Sequence, residues 1–159
     1  MRSRIFNVSQ YEKNPTTGED LHFSEDNIKR CIDYKMIKNY AYIKHDKDVY
    51  TADDEKKGYT AGEPKPPHWH IVIKCDNAIK LDTIAKWLGI QPQYIDVPKG
   101  KGAFLDCVQY VTHESDKEQA KGKYLYPDSE VISNFDFRAE LTKRAENKLK
   151  YGRDLDYDK

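Results

Sequence analysis

Two histidines two residues apart, His68 and His70 in P-K-P-P-H-W-H-I-V-I-K-C, are the first residues in this chain whose spacing suggests chemistry. The run around them has the β-branched character of a strand. Side chains at i and i+2 of a strand share a face, so the two imidazoles stand roughly 7 Å apart on one side of a sheet. Neutral imidazole binds first-row divalent ions at about 2 Å, so the pair could serve one cation. The same pattern also fits two histidines on an ordinary polar face. H-D-K-D, residues 45–48, ends another strand-like run, with His45 in phase with Ala41 and Ile43. If the two strands are neighbours, His45 lies beside His68 and His70. Asp48, one odd step out of phase, reaches them only if the chain turns near Asp46. Three imidazoles and a carboxylate form a mixed N/O donor set that accepts Mn²⁺ or Mg²⁺, although Zn²⁺, Co²⁺ or Ni²⁺ would bind more tightly. A closed structural zinc site is the competing reading, and the carboxylate and the lack of cysteine ligands count against it.

A third group lies in A-F-L-D-C-V-Q-Y-V-T-H-E, residues 103–114. At 100° per residue Phe104, Val108 and Val111 form one apolar side, and Tyr110 points roughly 120 to 140° away from it. It is either an amphipathic edge residue or, beside a metal, a nucleophile.

The elements that must hold these groups follow from periodicity and turn signals. Strands are predicted over Arg4–Tyr11, Tyr40–His45, His68–Cys75, Tyr94–Val97 and Tyr124–Tyr126, and helices over Glu25–Ile37, Leu81–Leu88, Ala103–His113 and from Phe137 onward. The 20 or so polar residues between His45 and His68 are expected to form an exposed loop. No internal repeat occurs. The order implies an α+β fold, a central antiparallel sheet of about five strands backed by helices.

Composition narrows the function classes. At 159 residues, the chain suffices for one domain. With 38% hydrophobic and 34% charged residues, no stretch approaches the roughly 20 apolar residues of a membrane span. The N-terminus lacks a signal-peptide pattern, and Cys31, Cys75 and Cys107 have neither metal spacing nor an even count, so a reducing, cytoplasmic setting is expected. Net charge is zero, but residues 138–153 carry Arg138, Lys143, Arg144, Lys148, Lys150 and Arg153 against Glu140 and Glu146. Such a stretch is either a solvated helix face or an anion-binding one. Several of the 12 tyrosines adjoin Lys or Arg, as in K-Y-L-Y, which suits base stacking as well as a half-buried surface.

P-P-H-W-H-I-V-I, preceded by H-D-K-D and followed about 40 residues later by Y-V-T-H, resembles the HUH endonuclease superfamily, and within it the plasmid rolling-circle replication initiators with a single catalytic tyrosine. The resemblance runs from roughly Arg4 to Asn134, with Trp69 in the bulky hydrophobic place between the histidines. It implies an HUH/RRM-like sheet, His45, Asp48, His68 and His70 as metal ligands, and Tyr110 as nucleophile, with His113 and Glu114 as active-site support. It also implies a Mn²⁺- or Mg²⁺-dependent nickase and strand transferase acting at a plasmid origin in the bacterial cytoplasm through a 5′-phosphotyrosine link. The nick site would be single-stranded or an extruded hairpin. Duplex flanks would be gripped by basic side chains, for which Lys74, Lys99, Lys101, Arg138 and Lys143 are candidates. Position 114, one helical turn after Tyr110, is glutamate rather than a second tyrosine, so strand closure would call on another protomer's Tyr110 or on water. Residues 1–134 are expected to be the nicking and origin-binding domain. Residues 135–159 are expected to form a C-terminal helix that could lead into an oligomerisation domain of a longer protein. A mobilisation relaxase of the same chemistry, a non-catalytic DNA-binding module with a structural ion, and an unrelated metal-dependent phosphodiesterase are the alternatives.

Overall fold

The computed structural model describes residues 1–151. Five antiparallel strands form one sheet in the order β4-β1-β3-β2-β5. They are β1 (Arg2–Tyr11), β2 (Ile37–His45), β3 (His68–Lys80), β4 (Ile95–Asp96) and β5 (Ile132–Ser133). The helices are α1 (Glu25–Ile32), α2 (Leu81–Leu88), α3 (Ala103–Tyr110), α4 (Asp116–Ala120) and α5 (Phe137–Tyr151). The α+β class read from the sequence is therefore the one observed.

β3 is central, and its alternation divides the core in two. Ile71 and Ile73 face α1 and α2, packing with Phe6, Val8, Tyr42, Ile28, Ile84 and Leu88. Val72 faces the other way, toward Ala41, Ile43, Phe104, Val108, Phe137 and Leu141 of β2, α3 and α5. A strand covered on both faces loses the polar alternation of a half-exposed one, which explains the unbroken I-V-I. Trp69 belongs to the first face. Its ring is 6.1 Å from that of Tyr42 and its Nε1–H donates to Glu12 at 2.9 Å, so the bulky residue between the histidines is an anchor in the opposite core.

Several element boundaries differ from the sequence expectation, and three of the differences shape the site and the elements around it. α1 stops at Ile32 rather than Ile37, because Ile37 pairs with Cys75 and the Met36 carbonyl accepts from the Asp76 amide at 3.0 Å. Helical periodicity through Met36 yields to strand pairing. The fifth strand is Ile132–Ser133, paired with Tyr42 and Ala41, and not Tyr124–Tyr126. The latter segment is bonded instead to the turn after α3, with the Tyr126 amide donating to the Thr112 carbonyl at 3.0 Å. α3 ends at Tyr110, and His113 closes the turn in the left-handed region at φ 62°.

The segment between β2 and β3 is exposed but built. A 3-10 turn spans Ala52–Lys57, Tyr50 stacks on Tyr59 at 4.3 Å, and the Lys65 amide donates to the Asp48 carbonyl at 2.9 Å. α5 packs through Phe137 and Leu141 into the second core and pairs Arg144 with Asp106 at 2.7 Å. Arg153 of the basic stretch, and residues 152–159 of the expected C-terminal helix, lie outside the described residues. Among the described residues no helix is long and apolar enough to cross a membrane.

Candidate active site

The register of β2 on β3 sets His45 opposite His68 and Ile43 opposite His70. On the other side of β3, Tyr11 is opposite His68 and Ser9 opposite His70. Residues opposite each other in an antiparallel pair share a face, so the histidines occupy the end of the α3 face, beyond its apolar cluster. His45, His68 and His70 are all buried.

Their hydrogen-bond partners fix the tautomers. His45 Nε2–H donates to the Val111 carbonyl at 2.7 Å, and His68 Nδ1–H donates at 3.4 Å to the carbonyl of Pro66. A carbonyl only accepts, so each imidazole presents its other nitrogen as a bare lone pair. Those two nitrogens, His45 Nδ1 and His68 Nε2, stand 3.3 Å apart. One oxygen of Asp48 lies 3.8 Å from the first and 3.7 Å from the second. Burial holds the imidazoles neutral, with the pKa of His45 pushed down to about 4 and those of His68, His70 and His113 also lowered, so these approaches are not ion pairs. Three acceptors converge with no proton to share, and a cation satisfies that arrangement. The edges compare with the roughly 3.0–3.4 Å between donors that each sit about 2.1 Å from one ion, so the cluster needs to close by only a few tenths of an ångström.

His70 stands apart from this compact trio. Its Nε2–H donates to Asn7 Oδ1, which leaves Nδ1 as a buried lone pair with no hydrogen-bond partner. Its ring centre is 5.7 Å from that of His45 and 5.1 Å from that of Tyr110. His70 lies outside the converging trio, and its buried nitrogen without a partner leaves it available as a further ligand. The residues present therefore fit a divalent cation.

Asp48 is held from behind. Tyr126 donates its hydroxyl to Asp48 Oδ1 at 2.6 Å, accepts from the Lys47 amide at 2.9 Å, and stacks on His45 with ring centres 4.6 Å apart. Burial and the bond to Asp48 raise the Tyr126 pKa, keeping its proton in place to donate. The Val111 carbonyl is open to His45 because α3 has already ended; in a longer helix it would bond four residues on. His113, Nδ1–H bonded to the Tyr124 carbonyl at 3.1 Å, fills the space between His45, Tyr110 and Tyr126.

Tyr110 is 37% exposed and opens into the same cleft of about 520 Å³ as His45, Asp48, His68 and His70. Lys123 donates to its hydroxyl at 3.0 Å. The basic side chains of the cleft are Lys57, Lys65, Lys121 and Lys123. None of the five basic residues singled out from the sequence lines it. Lys99 and Lys101 are exposed in the connection before α3, Lys143 is exposed on α5, and Lys74 lies with its ammonium 5.5 Å from the Phe104 ring centre. Arg138 is engaged by Glu114 and Asp128. Glu114, which also accepts from Thr112 at 2.6 Å, lines a second depression with Arg138 rather than the cleft.

The residues missed by the sequence reading are Tyr126, Asn7, Glu118 and Lys123. K-Y-L-Y suits base stacking or a half-buried surface by its composition, and its second tyrosine supports a carboxylate. Nothing in the spacing of Asn7 announces its bond to His70, which arises only when β1 pairs with β3.

Residues 2–138 match the family described as "Plasmid replication protein, origin binding domain". A "Replication protein" of Onion yellows phytoplasma (strain OY-M) is 37% identical over 108 residues, covering 67% of this chain and 27% of that protein. The chain thus spans about a quarter of that relative's length.

Proposed function

The chain belongs to the origin-binding-domain family of plasmid replication proteins, and from that premise we propose that it binds its plasmid's origin and nicks one strand there, forming a 5′-phosphotyrosine link through Tyr110. The observation that supports this most strongly is the convergence of His45 Nδ1, His68 Nε2 and an Asp48 oxygen, with no proton between them, in the cleft that exposes the Tyr110 phenol.

A DNA phosphodiester is anionic and repels nucleophiles, so cleavage requires neutralised non-bridging oxygens and an aligned attack. A bound Mn²⁺ or Mg²⁺ would supply Lewis-acid stabilisation of those oxygens. His45, Asp48, His68 and His70 would hold it, kept in register by Val111, Tyr126, Pro66 and Asn7. Tyr110 Oη attacks the scissile phosphorus. The Oη–P bond forms, the bond to O3′ breaks, the phenol proton passes to solvent and O3′ takes one up, giving the 3′-hydroxyl that primes synthesis. The ester is kept in the protein–DNA bond, so the step is reversible without ATP. Lys57, Lys65 and Lys121, exposed or half-exposed around the cleft, would hold the backbone of a single strand or hairpin loop, with affinity falling steeply with salt. Such a protein works in the bacterial cytoplasm, and within a longer polypeptide the C-terminal side of α5 would lead to a further domain and to oligomers.

The test uses single-stranded oligonucleotides tiling the replicon that encodes the chain, with Mn²⁺. An SDS-resistant adduct on one tile, abolished by chelator and by Tyr110→Phe, is the expected result. Binding without an adduct would leave an origin-binding module with a structural ion, and cleavage without an adduct would point to a water-using phosphodiesterase.

A further inference from the structure

Tyr110 lies on α3 with its hydroxyl toward a lysine that the fold positions with unusual care. α4 is a bracket. Its N-cap Ser115 accepts from the Glu118 amide at 3.3 Å, and Gln119 Nε2 donates both to the His113 carbonyl at 2.7 Å and to the Lys123 carbonyl at 3.3 Å. The helix then closes through Gly122 at φ 76°, a left-handed conformation that glycine adopts without strain, and this turn brings Lys123 back over Tyr110. The Lys123 ammonium sits 5.0 Å from the Tyr110 ring centre while it donates to Oη. On its other side it is braced by Glu118, which is buried and 2.5 Å away. Burial alone would lower the Lys123 pKa, but the bonds to Glu118 and Tyr110 more than offset it, so the side chain is a cation and not a base.

From this arrangement we infer that Lys123 is a catalytic residue of the nicking reaction: its ammonium stabilises the negative charge that Tyr110 Oη carries as attacking group and, in rejoining, as leaving group, with Glu118 as its positioning residue. The inference rests on the nicking reading above. One Oη lone pair takes the Lys123 N–H and another remains for phosphorus. In the forward direction the phenol proton goes to water, the Oη–P bond forms and the P–O3′ bond breaks with O3′ protonated by water; in reverse the O3′–P bond forms and the Oη–P bond breaks. Lys123 keeps its protons throughout. Lys121, exposed and on the same cleft wall, reaches Glu118 at 3.7 Å but has no bond to Tyr110, and so serves as an internal comparison.

The experiment measures adduct formation on the reactive tile as a function of oligonucleotide concentration, separating the saturated rate from the half-saturating concentration. Preformed donors aimed at developing charge are worth about 100-fold. Lys123→Met is expected to lower the saturated rate by about that factor while shifting half-saturation by less than about threefold. Lys123→Arg should recover most of the rate, Glu118→Gln should lose about tenfold, and Lys121→Met, at a lysine placed to hold the strand, should instead raise the half-saturating concentration more than it lowers the saturated rate. Melting curves and Mn²⁺ titrations check that each variant folds; if Lys123→Met does not, Lys123→Arg and Glu118→Gln decide. A wild-type saturated rate in Lys123→Met, or an arginine variant as slow as the methionine one, overturns the inference while leaving the nicking reading intact. No adduct from the wild-type protein on any tile would instead overturn the nicking reading, and the role of Lys123 with it.

Discussion

The two faces of β3 use burial for opposite ends. On the α1/α2 side Trp69, Ile71 and Ile73 are buried among apolar neighbours, and removing them from water stabilises the fold. On the α3 side His68 and His70 are nearly as buried, yet they sit where Val72 and its apolar partners give out. There, burial costs stability by stripping water from polar groups, and it keeps the imidazoles neutral and ready to ligate. The lesson is that one strand can anchor a site from behind. In H-W-H-I-V-I, His68 and His70 present chemistry on one face while Trp69, Ile71 and Ile73 hold the sheet on the other, and the rigid apolar face limits how far the polar face can relax.

That contrast can be broken from either side. Ile73→Ala, on the apolar face, is expected to cost about 2–5 kcal/mol in denaturant unfolding, the usual penalty for a buried cavity, with little change in Mn²⁺ affinity of the folded protein. Asp48→Asn, on the polar face, should do the reverse: Mn²⁺ affinity by calorimetry falls at least about 100-fold while the melting temperature of the metal-free protein stays within a few degrees. Tyr126→Phe sharpens the comparison. It removes the bond that aims Asp48, so Mn²⁺ affinity should fall about tenfold, and it leaves the Lys47 amide without its acceptor, a loss of about 1 kcal/mol. If Tyr126→Phe left Mn²⁺ affinity unchanged, Asp48 would not depend on that hydroxyl.

The smallest effect is on pH. His45 is held near 4 by burial, against about 6.5 in an unfolded chain, so the unfolded state takes up its proton first as pH falls. The stability associated with neutral His45 is therefore complete above about pH 6.5 and is lost progressively down to about pH 4, and His68, His70 and His113 shift in the same direction. Melting of the metal-free protein between pH 7.5 and 4.5 should follow that window. Asp48→Asn should not abolish it, since the lowered imidazoles titrate there.

What the sequence disclosed tracks these same two faces. The core strands and α2 were legible because alternation, an apolar run and a Gly89 stop are local signals. The proximity of His45 to His68 was legible because two strand phases relate them, whereas Asp48 required a turn that the phases do not supply and Tyr110 was linked to the histidines only by the family resemblance. Lys123, Glu118, Tyr126 and Asn7 were not legible, since their roles depend on α4, on the shape of a coil segment, and on β1 crossing to the far side of β3. Arg138 illustrates another limit: the resemblance made it a candidate contact to duplex flanks, whereas its bonds to Glu114 and Asp128 appear only in the fold. The Tyr124–Tyr126 segment had strand composition, and backbone bonds to Thr112 decided otherwise.

The most direct measurement is diffraction at the manganese absorption edge from crystals of the protein grown with Mn²⁺. The expected result is one strong anomalous peak within about 2.3 Å of His45 Nδ1, His68 Nε2 and an Asp48 oxygen, on the cleft side of His70 and facing Tyr110. An empty cluster at saturating Mn²⁺, with the ion bound elsewhere or not at all, would contradict a cation-assisted attack by Tyr110.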